Sequence, residues 1–478
     1  MEIIGRSKEK QRLEALYNSS GAEFLVIYGR RRVGKTYLIR RHFENRFVFV
    51  TTGLYKKSQE LQLTQFAMAL NEYFEIDIPT FNTWLEAFAM LKKCLQNSQT
   101  ARKVIFIDEI SWFDTNGSDF IGALEWFWNG WAAAQNDIFL IACGSATSWI
   151  TDKLLSDKGG LFNRATCQMF LLPFTLCETE QYLLARGFQW SRYDIAECYM
   201  VTGGIPYYLN QLDAMQSYAA NVDELFFKKN GRLKDEFDHL YKMLFENTSY
   251  YIKLVEALSE KTMGLTRDEL GKAAKVGNNG QLTKALRDLV NCNIVRGYNY
   301  FGKAKNGIVY QLSDYFTMFY FRFIRQYYGR DEHLWSYTID LPARRAWAGY
   351  TFEQMCKDHI GQIKRALGIL GVVSEQSTWY CKPEKGSTTR GAQIDLLIAR
   401  RDRIINLCEM KFSQSEYIID KDYEMQLRNK VGTFRDATGT HDALHVTMIT
   451  TYGVKNNSHS GIVQSQVKLD DLFLPDRE

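Results

Sequence analysis

The stretch Phe24-Leu-Val-Ile-Tyr-Gly-Arg-Arg-Arg-Val-Gly-Lys-Thr36 limits what this chain can fold into more than any other. An apolar run ends at Tyr28. Gly29, Arg30, Arg31, Arg32, Val33, Gly34, Lys35 and Thr36 then fit the phosphate-loop pattern G-x-x-x-x-G-K-[ST]. The pattern predicts a buried strand that stops at Tyr28 and a helix that opens near Gly34 and runs through Phe43. Its chemistry is anion binding. Loop N–H groups wrap phosphate oxygens, helped by roughly half a positive charge at the helix N-terminus. On this reading the nucleotide lies along Gly29 to Tyr37, Lys35 neutralises the β- and γ-phosphates, and Thr36 holds Mg²⁺.

At 478 residues the chain exceeds one ordinary core, so several domains are expected. A net charge of +4 neither requires nor excludes nucleic acid. Nine cysteines without a C-x-x-C pair argue against a disulfide framework or zinc ribbon and for a reducing compartment. No apolar run approaches the ~20 residues of a membrane helix. The N-terminus lacks an apolar signal region. A cytoplasmic protein with no membrane partner is the expectation.

The second motif is Val104-Ile-Phe-Ile-Asp-Glu-Ile110, an apolar strand that ends in two carboxylates. Beside a phosphate loop, Asp108 joins the Mg²⁺ shell, and Glu109 orients and activates the attacking water. A third apolar strand, 138–142, leads into Cys143-Gly-Ser-Ala146. Ser145 there either contacts the γ-phosphate or water, or belongs to a plain strand-to-helix turn. Arg164 lies in Gly160-Leu-Phe-Asn-Arg164. It either reaches a neighbouring nucleotide, which requires a homo-oligomer, or forms a surface salt bridge. Ser7 reads as the cap of a first helix, and residues 58–96 read as helical. Trp126, Trp128 and Trp131 read as core or subunit interface before base stacking. Thr202-Gly-Gly-Ile-Pro-Tyr207 forces a fixed turn.

Ile4-Gly-Arg6, the phosphate loop, Ile107-Asp-Glu109, Cys143-Gly-Ser145, the Arg164 segment and Gly203-Gly-Ile-Pro206 occur in an order that resembles a prokaryotic AAA-type family, often called the archaeal ATPase family. That family looks related to the signalling ATPases with several domains. The resemblance covers about residues 1–235. It implies an α/β fold: a P-loop three-layer parallel-sheet ATPase core over 1–175 and a helical lid over 176–240. It also implies ATP and Mg²⁺ as cofactors.

Residues 241–315 then read as a winged helix-turn-helix. Helices are predicted at 251–258, from the capping box Thr266-Arg-Asp-Glu269 to about Val276, and at 280–290. Segments 294–298 and 308–312 form a hairpin. If the unit binds DNA, Asn279, Gln281, Lys284 and Arg287 face a groove, and Lys303 and Lys305 touch phosphate. The other reading is a structural coupler or protein contact. The aromatic run Tyr315-Phe-Thr-Met-Phe-Tyr-Phe-Arg-Phe323 reads as a buried helix in a connector over 316–345.

In the last third, 391–399 and 404–412 are apolar strands flanking a polar turn. With the hairpin centred on Asp402, Asp395 falls opposite Glu409, and Lys411 shares the face of Glu409. The carboxylates can hold Mg²⁺, and the ammonium can stabilise a phosphorane charge. Asp followed by Glu-x-Lys on a hairpin resembles the PD-(D/E)XK nuclease superfamily, with Ile394 where many members have proline. This implies a restriction-endonuclease-like α/β domain over 346–478 and a helical glutamate, for which Glu353 stands in place. Gln426 or Lys430 of a downstream helix can also reach the site.

Two functions follow: an ATP-dependent enzyme acting on DNA or another nucleic acid, and a nucleotide switch whose inactive tail binds DNA or protein. Both need the phosphate loop. Lys35→Ala is therefore expected to abolish nucleotide binding or hydrolysis, read by calorimetry and phosphate release; unchanged turnover would refute the loop assignment.

Overall fold

The computed structural model describes residues 2–475 apart from 78–79, 146, 156–160, 162, 303–307, 328, 330, 340 and 382–390. The chain divides into two units, Met1–Pro173 and Phe174–Glu478.

In the first unit five strands form one parallel sheet: β1 (Glu23–Tyr28), β2 (Phe47–Thr52), β3 (Lys103–Asp108), β4 (Ile138–Gly144) and β5 (Cys167–Phe170), in the order β2-β3-β4-β1-β5. Near-continuous apolar runs suit strands covered on both faces, as crossover connections require. Every residue of β3 and β4 is buried. One side of the core is aromatic. Trp84 packs edge-on against Phe66, Phe113 and Phe120 at ring separations of 4.9–5.6 Å.

The helical region expected over 58–96 is two helices, Gln59–Phe74 and Trp84–Asn97. Glu75, left-handed at φ 51°, closes the first, and the Thr83 hydroxyl caps the second by accepting from the Glu86 N–H. Pro79 lies in the intervening sequence, and a helix cannot run through it unbroken. Ser7 is not a cap either. It is the first residue of the helix Ser7–Tyr17, and Arg6, at φ 56°, holds the cap position. Trp128 is buried, whereas Trp126 is exposed, with the Lys92 ammonium 5.5 Å from its ring.

The second unit opens with the helices Leu176–Ala185 and Arg192–Thr202, each started by a reciprocal capping box. Gly203 and Gly204, at φ 62° and 65°, make the turn into Pro206–Leu209, where Pro206 takes the first helical position. The helices Thr248–Ser259, Arg267–Ala273 and Gly280–Asn291 follow. They accompany an antiparallel sheet of β6 (Leu265–Thr266), β7 (Val295–Tyr298) and β8 (Val309–Leu312), in the order β6-β8-β7. The Thr266–Glu269 capping box forms as expected, but its helix stops at Ala273, short of Val276. The aromatic run is buried, in the helix Tyr315–Phe319 and the wider turn Tyr320–Ile324.

The chain ends on a mixed sheet: β9 (Ser374–Cys381), β10 (Ala392–Arg400), β11 (Ile404–Lys411), β12 (Ala443–Thr450) and β13 (Ser465–Lys468), in the order β13-β12-β11-β10-β9. β9, β10 and β11 pair antiparallel; β11, β12 and β13 pair parallel. The parallel step from β11 to β12 needs a crossover, supplied by the helix Lys421–Thr438. Early and late elements of this unit touch directly. The Tyr193 ring stacks on Phe412 at 4.8 Å, the Leu176 N–H donates to His359 Nε2 at 3.0 Å, and Arg344 lies 3.6 Å from Glu197.

A methyl group on Gly204 would lie 2.3 Å from the Phe174 carbonyl oxygen and 2.7 Å from the Tyr199 ring. Gly187, at φ 84°, has open space around it. Gly204→Ala is expected to lose about 2–4 kcal/mol in urea unfolding, against ~1 kcal/mol for Gly187→Ala; equal losses would contradict the close turn.

Candidate functional site

At the end of β1 the backbone turns through Gly29 (φ 139°), Arg32 (φ 73°) and Gly34 (φ 91°). Gly29 is fixed by contact: a Cβ there would sit 2.5 Å from the Leu171 carbonyl oxygen. Gly34 caps the helix Lys35–Phe43 and brings no side chain to compete for its first-turn N–H groups. Lys35 is only 6% exposed, and its ammonium donates to the carbonyls of Gly29 and Arg30, both at 2.9 Å. Burial pulls its pKa below the usual lysine value, against the nearby charges of Asp108 and Glu109. Arg30 is buried, and Tyr37 is exposed with the Arg41 guanidinium 5.8 Å from its ring.

Thr36 Oγ1 donates to Asp108 Oδ1 at 3.1 Å, and the Glu109 N–H donates to the same oxygen at 3.1 Å. Burial, then the neighbouring Glu109, raises the Asp108 carboxyl above its ordinary range. Glu109 takes a left-handed backbone, φ 46°. Its carboxylate is held by the Ser145 hydroxyl, 2.8 Å from Oε1 and 3.0 Å from Oε2. Ser145 thus holds the orientation of the Glu109 carboxylate.

Three residues carry weight here without having been given a role from the sequence. The Arg6 guanidinium donates to the Val33 carbonyl at 3.2 Å, which braces the loop from outside. Buried Cys143 feels the charges of Asp108 and Lys35, and its thiol is pushed well above its ordinary value, first by burial and then by Asp108. Leu171 supplies the oxygen that admits only glycine at position 29. The Ile4-Gly-Arg6 string was the one signal for the first of these. Arg164 lies exposed before β5, and among the described residues it makes no ion pair.

Residues 4–212 match the family described as "ATPase domain predominantly from Archaea". This segment is similar to an archaeal-type ATPase domain. Across 404 residues the chain is 24% identical to an uncharacterized protein of Methanocaldococcus jannaschii, covering 83% of this chain and 84% of that one. An uncharacterized ATP-binding protein of the same organism is 44% identical over 44 residues, 9% of this chain and 75% of that one. Among solved structures, the Walker-type ATPase of Pyrococcus abyssi is 16% identical, covering 67% of this chain and 96% of that chain, with a TM-score of 0.46. The Aeropyrum pernix ORC2 protein, in ADPNP–ADP complexes, is 14% identical, covering 75% and 96%, with a TM-score of 0.40. The matched segment ends inside the second structural unit, at the turn after Pro206–Leu209.

The residues singled out in the tail occupy β10, β11 and the helix Pro342–Asp358. β10 and β11 pair from Leu396↔Cys408 to Ala399↔Ile405, and β10 shifts register between Ile394 and Leu397, so Asp395 stands at that irregularity, one residue beyond the paired stretch, as Glu409 does on β11. Glu409 is buried, ion-paired to Lys430, and accepts from the Tyr423 hydroxyl at 3.1 Å. Lys411 lies 5.1 Å from the Tyr423 ring. Asp395 accepts from Gln393 Nε2. Glu353 is pushed up to about 8, first by burial and then by Asp395, with Lys357 and Lys411 opposing. The three carboxylates therefore share one electrostatic neighbourhood. Yet among the described residues no group of three His, Cys, Asp or Glu side chains is arranged to hold a metal. Glu409 is engaged by Lys430 and Tyr423, while Asp395 lines a cleft with Lys357. Lys430 thus reaches the site, whereas Gln426 is exposed on its helix.

The native chain holds the Glu353 proton more tightly than an unfolded glutamate does, so stability is lost as pH rises from 4.5 toward about 8. Glu353→Gln is expected to match the parent near pH 5 and to exceed it by about 4 kcal/mol near pH 9. Urea titrations at the two pH values check this, and a constant difference would rule out the buried proton.

Proposed function

We propose that this chain binds ATP with Mg²⁺, hydrolyses it, and couples that cycle to a DNA-binding winged helix and a metal-dependent nuclease-like tail acting on nucleic acid. One observation carries the hydrolytic half: Thr36, Asp108, Glu109 and Ser145 form a continuous hydrogen-bonded line beside the phosphate loop. The residues fit the group. Thr36 and Asp108 would hold Mg²⁺, which when bound neutralises phosphate charge. Lys35, buried against the loop carbonyls, supplies a cation to phosphate oxygens. Glu109 accepts a proton from the attacking water, and Ser145 fixes which way its carboxylate points.

Asp395 and Glu409, each one residue beyond the Leu396↔Cys408 pair, with Lys411 two residues on and Glu353 feeling both charges, support the nuclease-like reading of 346–478. Three helices with an antiparallel hairpin support the winged-helix reading of 241–315. There Gln281, Lys284 and Arg287 are exposed on the helix Gly280–Asn291. Asn279 does not face a groove with them: its side chain caps that helix, accepting from the Gln281 N–H at 3.1 Å. Lys303 and Lys305 lie outside the described residues.

The Glu409–Lys430 pair favours a second reading, a nucleotide switch with an inactive tail, because the ammonium already neutralises one carboxylate. Both readings require the Glu109 base. Glu109→Gln is expected to bind ATP as the parent does and to lose about 10²–10⁴ in turnover. Incubation with DNA or RNA, Mg²⁺ or Mn²⁺ and ATP separates the readings. Cleavage that Asp395→Ala abolishes supports the nuclease; intact ATP turnover with no cleavage of any form supports the switch.

A further inference from the structure

Beside Asp395 the second unit forms a shallow cleft where its two sheets meet. Just beyond β7, Tyr300 bridges to Thr378 of β9, and the Phe301 N–H donates to the Thr378 carbonyl at 2.9 Å. The antiparallel hairpin is thereby stitched to the edge of the mixed sheet. Lys357, Asp395, Tyr298, Tyr300 and Tyr380 all line this cleft.

Lys357 stands one helical turn after Glu353, on the helix Pro342–Asp358, so both point the same way. Its ammonium donates to Gln311 Oε1 at 3.3 Å and lies 5.5 Å from the Tyr298 ring. Gln311, on β8, is itself anchored by donating to the Thr262 carbonyl, and the Tyr298 hydroxyl donates to the Met263 carbonyl at 2.9 Å. An ammonium has three donors, and among the described residues Lys357 makes this single hydrogen bond, to a neutral amide. It is a positioned cation with donors left for a ligand. Lys411 is not so placed, since it lies against Tyr423.

The rings around it add a second chemistry. Tyr380 is 39% exposed, and Tyr300 is partly exposed on the same cleft. Bases stack on such rings only when they are unpaired, whereas a duplex offers its phosphates but hides its base faces. A cation between tyrosines, next to a carboxylate, suits a nucleotide of a single strand better than a duplex groove.

We propose that this cleft binds an unpaired nucleic-acid strand, Lys357 donating to a phosphate oxygen and the rings of Tyr300 and Tyr380 stacking on the adjoining base. The proposal rests on the nucleic-acid reading of the tail and names its substrate as single-stranded. Lys357 contacts the strand; it takes no part in bond cleavage.

The test uses the full chain with divalent ions chelated, so that binding is read apart from cutting. Anisotropy of a labelled oligothymidylate is compared with that of the same strand annealed to its complement. The single strand is expected to bind more tightly. Lys357→Ala is expected to weaken it about tenfold and to reduce the salt slope by roughly 0.7, and Lys357→Arg to restore most of both. Tyr380→Ala is expected to weaken it about tenfold with the salt slope unchanged. Thermal unfolding of each variant identifies a folding defect, and Lys357→Arg keeps the charge test valid if the alanine variant is unstable. Equal affinity for strand and duplex, or an unchanged salt slope in Lys357→Ala, overturns the proposal even where Asp395→Ala abolishes cleavage. Strand binding that depends on Lys357 without any Asp395-dependent cleavage upholds the cleft and removes the nuclease. No binding of either form removes both.

Discussion

The hydrogen bond from Thr36 to Asp108 joins the first turn of the helix that follows β1 to the end of β3, a strand that does not neighbour β1. β4 lies between β1 and β3, and its end supplies Cys143, which interacts with Asp108, and, just beyond, Ser145, which holds Glu109. Everything else at this end of the sheet depends on that bridge. It fixes the first turn of the helix Lys35–Phe43 against a buried carboxylate, and the same carboxylate oxygen receives the Glu109 N–H. Where water is excluded, such links are electrostatically stronger than on the surface, and each is costly to leave unmade. The loop can therefore hold strained backbone at Arg32, at φ 73°, because its neighbours over-determine it.

The second unit follows a different logic. Its early helices pack directly against its later elements. Tyr193 stacks on Phe412, the residue directly after Lys411, and Arg192 pairs with Asp470 near the chain end. His359, a few residues past Glu353, accepts the N–H that opens Leu176–Ala185. The Gly203–Gly204 turn presses on Tyr315, whose hydroxyl donates to Asp358. A displacement of the helix Arg192–Thr202 would thus be felt at both β11 and the helix Pro342–Asp358. Packed interiors transmit such shifts because they have few voids to absorb them.

Much of this was written locally in the chain. A strand running into glycine, then lysine and threonine, announces a phosphate loop because all its parts are contiguous. The hairpin register could be counted from Asp402, because strand side chains alternate and a short turn leaves no slack. The Thr266–Glu269 box was legible because its two hydrogen bonds close within one helical turn. Where one residue type has several local uses, legibility failed. Asn279 had the composition of a groove reader and became a cap, and the Ser7 hydroxyl was bypassed because Arg6 took the cap position.

The sequence by itself determined the phosphate loop, the carboxylate pair at the end of β3, the parallel sheet that joins them, and the β10–β11 hairpin centred on Asp402. These rest on spacing, burial and backbone geometry within short segments. Only the tertiary structure decided that Ser145 holds Glu109, that Lys430 neutralises Glu409, that Arg6 braces Val33, and that Lys357 shares a cleft with Asp395. Each of these joins side chains from different elements. Their meeting depends on how helices cross a twisted sheet, and no local pattern of residues records that crossing.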